Sequence, residues 1–297
     1  MTENKKIIWA TDGSKESEEA LNCARFFAQI LNSEIIGVHV ISMHQRLLFD
    51  YSRDPESERY SWVQKAEENY SVKLGSIADK LTAQKINFRG RVLIGEPSKK
   101  IIELARSEKV NLIVMGKRGH GLLERVLIGS ATLRVLRESQ IPVLAVRKMD
   151  KKDSIDIRNI LVPLDISEES DSALNYAIDL AERINANVLV TYVITFFPYG
   201  VEIRFIILED LITNSSDELA RRVESIKMNR GTKLEIKTQV IQRMNTSVLI
   251  ADLAYEKDTD LIVSNSHGRK RVKRLILGSV AEQVIQESNC AVLALRP

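Results

Sequence analysis

The chain contains two copies of one pattern, and this internal repeat limits its fold more than any other feature. The segment KIIWATDGSKESEEALNCARFFAQILNSEIIGVHVI at 6–41 parallels NILVPLDISEESDSALNYAIDLAERINANVLVTYVI at 159–194. The segment LIVMGKRGHGLLERVLIGSATLRVLRESQIPVLAVR at 112–147 parallels LIVSNSHGRKRVKRLILGSVAEQVIQESNCAVLALR at 261–296. Self-similarity at a long period means that one structural unit is built twice.

The two copies begin and end alike but differ in their middle. The offset is 153 residues between Asp12 and Asp165, and 149 between Gly129 and Gly278, so the middle has gained or lost residues. A charged joint, KMDKKDSID at 148–156, separates the copies.

Length and composition agree with two ordinary globular domains. At 297 residues the chain fits about two domains of roughly 150 residues, and we predict them at 1–150 and 156–297. With 44% hydrophobic residues and a net charge of only +3, the composition argues against disorder and against a general nucleic-acid surface. The two cysteines, Cys23 and Cys290, lie far apart and suggest neither a disulfide framework nor a zinc site. We expect a cytoplasmic protein without a signal peptide or membrane span.

Within each copy, short β-branched runs alternate with apolar residues at helical spacing. The helix after the first strand has apolar residues three and four apart, as at Ala20, Ala24 and Phe27. Near-continuous apolar strands are typical of a sheet covered on both faces. The predicted strands are 6–11, 34–41, 88–94, 112–115 and 143–146, with counterparts at 160–163, 187–194, 233–241, 261–263 and 291–295. The predicted fold class is α/β, with two tandem doubly wound five-stranded parallel-sheet sandwiches.

A glycine loop follows the fourth strand of the first copy. Gly116, Gly119 and Gly129 precede Ser130, Ala131 and Thr132, which open the last helix. Glycine permits a positive φ and close approach of the backbone, and a helix start presents unpaired N–H groups. This combination suits an anion, most simply phosphate. The alternative is a plain strand-to-helix connection in which Ser130 or its neighbour caps the helix.

The second copy repeats the loop with one departure. Gly268, Gly278 and Ser279 recur at the same spacing, but Asn265 replaces the first glycine. Asn tolerates a positive φ better than other residues, so we expect the loop shape to survive. Neither a Walker motif nor a dinucleotide fingerprint lies on a strand-to-helix turn, so rapid phosphoryl transfer has no evident machinery.

These residues resemble the universal stress proteins in their tandem two-domain form. The family pattern Gly-x-x-Gly, nine residues, Gly-Ser/Thr is matched by Gly116, Gly119, Gly129 and Ser130, and the likeness covers nearly the whole chain twice. The resemblance implies the universal stress protein fold, which is adenine nucleotide α-hydrolase-like. It also implies an adenine nucleotide, ATP or AMP or ADP, with Mg²⁺ as an optional companion.

The resemblance carries the family's site onto numbered positions. In the first copy these are Asp12, Val40, Met115, Gly116, Gly119, Gly129, Ser130 and Ala131. Neighbours in the same loops complete this predicted site, namely Ala10, Thr11, Arg118, His120 and Thr132. In the second copy, whose motif is partly degenerate, the positions are Asp165, Val193, Gly268, Gly278, Ser279 and Val280.

The chemistry expected of these residues is binding. A carboxylate at Asp12 repels phosphate but accepts hydrogen bonds from ribose or base, and its other role is in an Asp-Gly-Ser turn. His120 has no Cys or carboxylate at ligand spacing, so we interpret it as a loop residue near phosphate rather than a catalyst or metal ligand.

The favoured hypothesis is a nucleotide-binding stress regulator, not an enzyme, in which any ATP hydrolysis is slow. Nucleotide occupancy then changes the conformation or the binding of a partner. The alternative is a nucleotide-independent dimerising scaffold, and an adenylating enzyme of the related nucleotide class is a third. The resemblance also implies that the closing strands of the two copies pair, as in an intrachain dimer, and two chains are expected to associate further.

Overall fold

The structure, a computed structural model, describes residues 5–42, 57–119, 128–147, 155–164, 171–195, 205–243, 246–266 and 277–296. The chain divides into two compact units, Met1–Ile155 and Asp156–Pro297. Each unit is α/β and contains five parallel strands, so the predicted fold class is confirmed.

The first unit alternates strands and helices along the chain. Its strands are β1 (Lys6–Thr11), β2 (Glu34–Ile41), β3 (Phe88–Ile94), β4 (Leu112–Gly116) and β5 (Val143–Val146). Its helices are α1 (Lys15–Leu31), α2 (Ser57–Ala83), α3 (Pro97–Ser107) and α4 (Ser130–Glu138). The strand order is β3-β2-β1-β4-β5 and every pair is parallel. Right-handed crossovers therefore place α1 and α2 on one face of the sheet and α3 and α4 on the other.

The second unit has the same order of elements. Its strands are β6 (Asn159–Pro163), β7 (Asn187–Thr195), β8 (Ile236–Arg243), β9 (Leu261–Asn265) and β10 (Ala291–Leu295). Its helices are α5 (Asp171–Ile184), α6 (Phe205–Arg230), α7 (Thr246–Glu256) and α8 (Ser279–Glu287). The strand order is β8-β7-β6-β9-β10, again parallel.

The core of each unit lies between the sheet and its helices. Phe27 of α1 is fully buried, together with Ile7 and Ile113 of the strands beneath it, and burying each such side chain contributes about 1.5–3 kcal/mol. The prediction that all strands are covered on both faces is wrong for β3, where Gly90 and Arg91 are exposed. The reason is its place at the end of the strand order, where fewer elements cover it.

Candidate functional site

The candidate site lies where the strand order of the first unit reverses, between β1 and β4. Ligands of doubly wound sheets bind beyond the carboxyl ends of the strands at such a point. Ala10 of β1 pairs with Met115 of β4, and both are buried. Val40 lies one residue before the end of β2, the other neighbour of β1. The predicted residues of three strands therefore come together at one edge.

The turn after β1 is held by side chains from the chain itself. Asp12 Oδ1 accepts a hydrogen bond from Ser14 N at 3.0 Å, and Thr11 Oγ1 accepts one from Gly13 N at 3.0 Å. Gly13 has a φ of 82°, which favours glycine. Ser14 is the N-cap of α1 and accepts from Ser17 N at 3.2 Å. Asp12 therefore fixes the turn, whereas Ser14 caps the helix.

A buried tryptophan holds the first turn of α1 from beneath. The indole Nε1 of Trp9 donates to Ser17 O at 2.7 Å, and Trp9 is only 2% exposed. The hydroxyls of Ser17 and Thr11 lie 2.9 Å apart. Because Trp9 and Thr11 of β1 both contact Ser17 of α1, the turn between them, which carries Asp12, is held at both of its ends.

The glycine loop after β4 comes back to this turn. A Cβ added to Gly119 would lie 2.4 Å from Asp12 Oδ2, which shows that the carboxylate lies directly against the loop backbone. Asp12 and Gly119 are 107 positions apart by subtraction of their numbers, so the fold alone brings them together. The site thus combines a carboxylate and a glycine loop at one place.

The first glycine of the loop is required for close approach and not for its φ. A Cβ on Gly116 would lie 3.0 Å from Glu16 C and 3.0 Å from Ser17 N, in the first turn of α1. Neither Gly116, Gly119 nor Gly129 has a positive φ. Of the two properties for which a glycine was expected here, the close approach of the neighbouring backbone applies at Gly116 and the positive φ does not.

Charged residues lie in and next to the glycine loop. Arg118 N donates to Glu16 Oε2 at 2.5 Å, and Arg118 Nε lies 4.0 Å from Glu16 Oε1. Lys117 is only 1% exposed, and its N donates to Val146 O at 2.6 Å. Sequence reasoning missed Glu16, since a charged residue in the first turn of an amphipathic helix carries no distinguishing signal.

The start of α4 has the geometry of an anion site. Of the alternative that Ser130 or its neighbour caps the helix, the neighbour holds: Gly129 is the N-cap, and it has no side chain with which to cap the N–H groups. Ser130 is the first helical residue and is exposed, whereas Gly129 is buried and its N donates to Lys117 O at 2.8 Å. Thr132 Oγ1 donates to Gly116 O at 2.8 Å. The first N–H groups of α4, including that of Ala131, have no partner within the helix and can therefore bind a ligand or solvent.

His39 of β2 supports the same turn from the neighbouring strand, and sequence reasoning also missed it. Its Nδ1 lies 2.9 Å from Thr11 O, and its ring stacks on Tyr70 of α2 with 3.4 Å between ring centroids. A carbonyl only accepts, so Nδ1 carries the proton. Burial lowers the pKa of His39 below its ordinary value, against the raising effects of the Thr11 carbonyl and the charge of Asp12. One polar residue in the apolar run EIIGVHVI was the available signal.

The second unit reproduces part of this arrangement. Gly278 is the N-cap of α8 without a capping side chain, and Ser279 is the first helical residue. Val280 is 42% exposed and Val193 lies near the end of β7. Asn265 ends β9 without a positive φ, so the φ argument for this residue is wrong as well. The remaining predicted positions, His120, Asp165 and Gly268, lie outside the described residues.

The structure also bears on metal ligands, membrane-spanning helices and the two cysteines. Across the described ranges, no three His, Cys, Asp or Glu side chains are arranged to hold a metal ion. In the same part of the chain, no helix combines the length and the hydropathy that crossing a membrane requires. Cys23 and Cys290 are both buried.

The fold and the site together define a class, a tandem of two doubly wound α/β units with a glycine loop at the switch point of the sheet. The universal stress protein family profile matches residues 3–147 and 156–296. The chain therefore belongs to the universal stress protein family.

Individual relatives agree with this family. A universal stress protein of Methanocaldococcus jannaschii is 29% identical over 142 residues, which are 47% of this chain and 82% of the relative. The crystal structure of a universal stress protein from Archaeoglobus fulgidus is similar in fold, with a TM-score of 0.70 and 23% identity over 98% of this chain and 96% of that one. A functionally unknown protein of Pseudomonas aeruginosa has a TM-score of 0.71 at 18% identity, covering 99% of this chain and 93% of that one.

Proposed function

We propose that the first unit binds an adenine nucleotide, ATP or AMP, in the crevice between β1 and β4. The observation that carries the proposal is the contact of the Asp12 carboxylate with Gly119, beside a helix start that no side chain caps. The carboxylate oxygens of Asp12, which accept hydrogen bonds, thus lie near the N–H groups at the start of α4, which donate them. The same residues match the family's nucleotide motif.

Each part of the site has a distinct task. The N–H groups at the start of α4 bind the phosphates, since the helix dipole favours negative charge there. Asp12 accepts hydrogen bonds from the ribose hydroxyls, because a carboxylate repels phosphate. Val40 and Met115 form the apolar wall for the base. Mg²⁺ reaches the site with the phosphates and can use Asp12 as one oxygen ligand.

The proposed role is regulatory. Nucleotide occupancy changes the conformation of the site, and a partner distinguishes the occupied protein from the empty one. The chain has no Walker lysine and hydroxyl pair, so ATP hydrolysis is slow or absent. We place this activity in a cytoplasmic stress response and in a homodimer, and the pairing of the closing strands of the two copies stays a prediction.

Calorimetric titration with ATP, combined with mass spectrometry of nucleotide released from the purified protein, tests the proposal. Wild type should bind, and Gly129→Val should lose binding, because valine at the N-cap fills the space beside the Gly119 backbone, 3.7 Å from the added Cβ. Gly75→Val is the matched control, since nothing lies within 4 Å of a Cβ at this position in α2. Wild-type protein that is purified without nucleotide and gives no heat with ATP would instead support the scaffold.

A further inference from the structure

The two units differ at the residue that ends the strand before the glycine loop. Gly116 ends β4, and Asn265 ends β9 at the same place in the repeat, 149 residues later by subtraction. One backbone hydrogen bond of the loop is nevertheless the same in both units. Gly129 N donates to Lys117 O at 2.8 Å, and Gly278 N donates to Ser266 O at 2.7 Å.

In the first unit, the absence of a side chain at Gly116 lets the strand end touch the first turn of α1. The virtual Cβ of Gly116 is 3.0 Å from Ser17 N and 3.1 Å from Glu16 O, closer than a real Cβ can comfortably lie. At this separation the Glu16 carboxylate reaches Arg118 N at 2.5 Å. The close approach at Gly116 and the hydrogen bond from Arg118 N to Glu16 therefore hold the start of α1 against the glycine loop.

In the second unit, a carboxamide stands between the strand and the helix. Ser172 Oγ in the first turn of α5 donates to Asn265 Oδ1 at 2.8 Å. The Asn265 side chain therefore occupies space between β9 and α5, whereas Gly116 places no side chain between β4 and α1.

The first unit has a further contact at this place that the second unit cannot make with the same residue type. Thr132 of α4 donates to the carbonyl of Gly116 at 2.8 Å, which ties the start of the last helix to the strand end. The counterpart of Thr132 is Ala281, 149 residues later, which has no hydroxyl. The carbonyl of Asn265 receives instead the hydroxyl of Ser264 from its own strand, at 3.2 Å.

We infer that each chain binds one nucleotide, in the first unit, and that Asn265 keeps the second crevice from taking one. This inference rests on the proposed function and assigns the two halves different roles. The first unit is the sensor, and the second is a permanently empty copy of the same fold. Asn265 acts by position, because its side chain fills the place next to the helix that Gly116 leaves empty in the first unit.

Calorimetric titration with ATP measures the number of sites per chain. Wild type should bind one ATP, Gly129→Val none, and Gly278→Val one. Asn265→Gly should raise the number to two, because it removes the carboxamide from the second crevice. Gly116→Asn should abolish binding, and Gly75→Asn, at an open position in α2, is its matched control and should still bind one.

The outcomes distinguish a failure of the inference, one nucleotide per chain, from a failure of the proposed function, nucleotide binding itself. Wild-type protein that binds no ATP contradicts the proposed function itself. Two ATP per chain in wild type, or one that is lost in Gly278→Val and kept in Gly129→Val, leaves the function standing and overturns the inference. One ATP per chain in Asn265→Gly overturns the assignment to this residue. Circular dichroism identifies a misfolded Gly116→Asn, and Asn265→Gly then still decides, since it adds no atoms to the core.

Discussion

The carboxylate of Asp12 lies against Gly119, so closely that a Cβ on the glycine would be 2.4 Å from Oδ2. This contact joins the end of the first strand to the loop after the fourth. It fixes where the carboxylate of Asp12 is held relative to the N–H groups at the start of α4.

Gly119→Ala should weaken ATP binding without unfolding the protein. The added methyl group forces the Asp12 carboxylate to rotate, because the crowded atom is at the end of a side chain and can move. Loss of a hydrogen bond to a charged group costs about 1.5–3 kcal/mol, and the Kd should rise about tenfold or more. Titration of Gly119→Ala beside Gly75→Ala measures this, and an unchanged Kd would show that Asp12 does not contact the ligand.

Thr132→Val should lower both stability and ATP affinity. Valine keeps the shape of this buried side chain but leaves the carbonyl of Gly116 without its 2.8 Å donor. An unsatisfied buried acceptor costs about 1–3 kcal/mol. Urea unfolding measures the loss, and Thr132→Ser, which retains the hydroxyl, should recover most of it. Equal losses in the two variants would argue for packing rather than for the hydrogen bond.

Gly37→Ala and Gly75→Ala should change stability in opposite directions. At Gly37 in β2 a Cβ would lie 2.3 Å from Phe88 Cζ and 3.2 Å from Trp9 Cε3, and overpacking of this kind costs about 1–3 kcal/mol. At Gly75 in α2 nothing lies within 4 Å, so alanine should stabilise the helix by about 0.5–1 kcal/mol. Chemical denaturation of both variants checks the signs, and a stabilising Gly37→Ala would refute the close contact.

Glu108 should contribute stability that is lost in acid. The hydrogen bonds from Arg89 and then Lys6 lower the pKa of Glu108 from 4.5 to about 2. Because its pKa is depressed in the folded state, this contribution is complete above about pH 4.5 and disappears as the pH falls towards 2. The urea midpoints of wild type and Glu108→Gln should therefore converge over this range.

The same ion pair lies near the surface, so salt should reduce the difference at neutral pH. A difference between wild type and Glu108→Gln that is independent of both pH and salt would mean that the carboxylate acts through packing alone.

Cys23 should resist thiol reagents in the folded protein. Burial, and next the charge of Glu19, raises the pKa of Cys23 to about 12, so almost no thiolate is present at neutral pH. Labelling with a disulfide reagent should be slow in buffer, whereas guanidinium chloride should expose two thiols, those of Cys23 and Cys290. Rapid labelling of Cys23 in buffer would contradict its burial.

The repeat made much of this fold predictable. Strand boundaries such as Glu34–Ile41 and Phe88–Ile94 agree with the sequence pattern residue for residue, because apolar β-branched runs and their turns are local signals. The parallel arrangement was also predictable, since strands separated by helices along the chain are joined by crossover connections.

The internal detail of the site was not predictable. Glu16 and His39 enter it through contacts with Arg118 N and Thr11 O, and such contacts between distant parts of the chain leave no periodic signal. The glycines were recognised, but the sequence left open which of two reasons, a positive φ or a close approach, applies at Gly116. Whether a glycine is needed for its φ or for the approach of a neighbour depends on what packs against it, and sequence spacing does not contain that information.

Trp9 gives the first unit a built-in optical reporter. Its indole N–H is bonded to Ser17 O, in the turn of α1 that Gly116 touches, so any shift of that turn alters the surroundings of the ring. The chain has one other tryptophan, Trp62, and replacing it with phenylalanine leaves a single emitter. The fluorescence of such a protein would follow filling of the crevice in real time, without an attached dye.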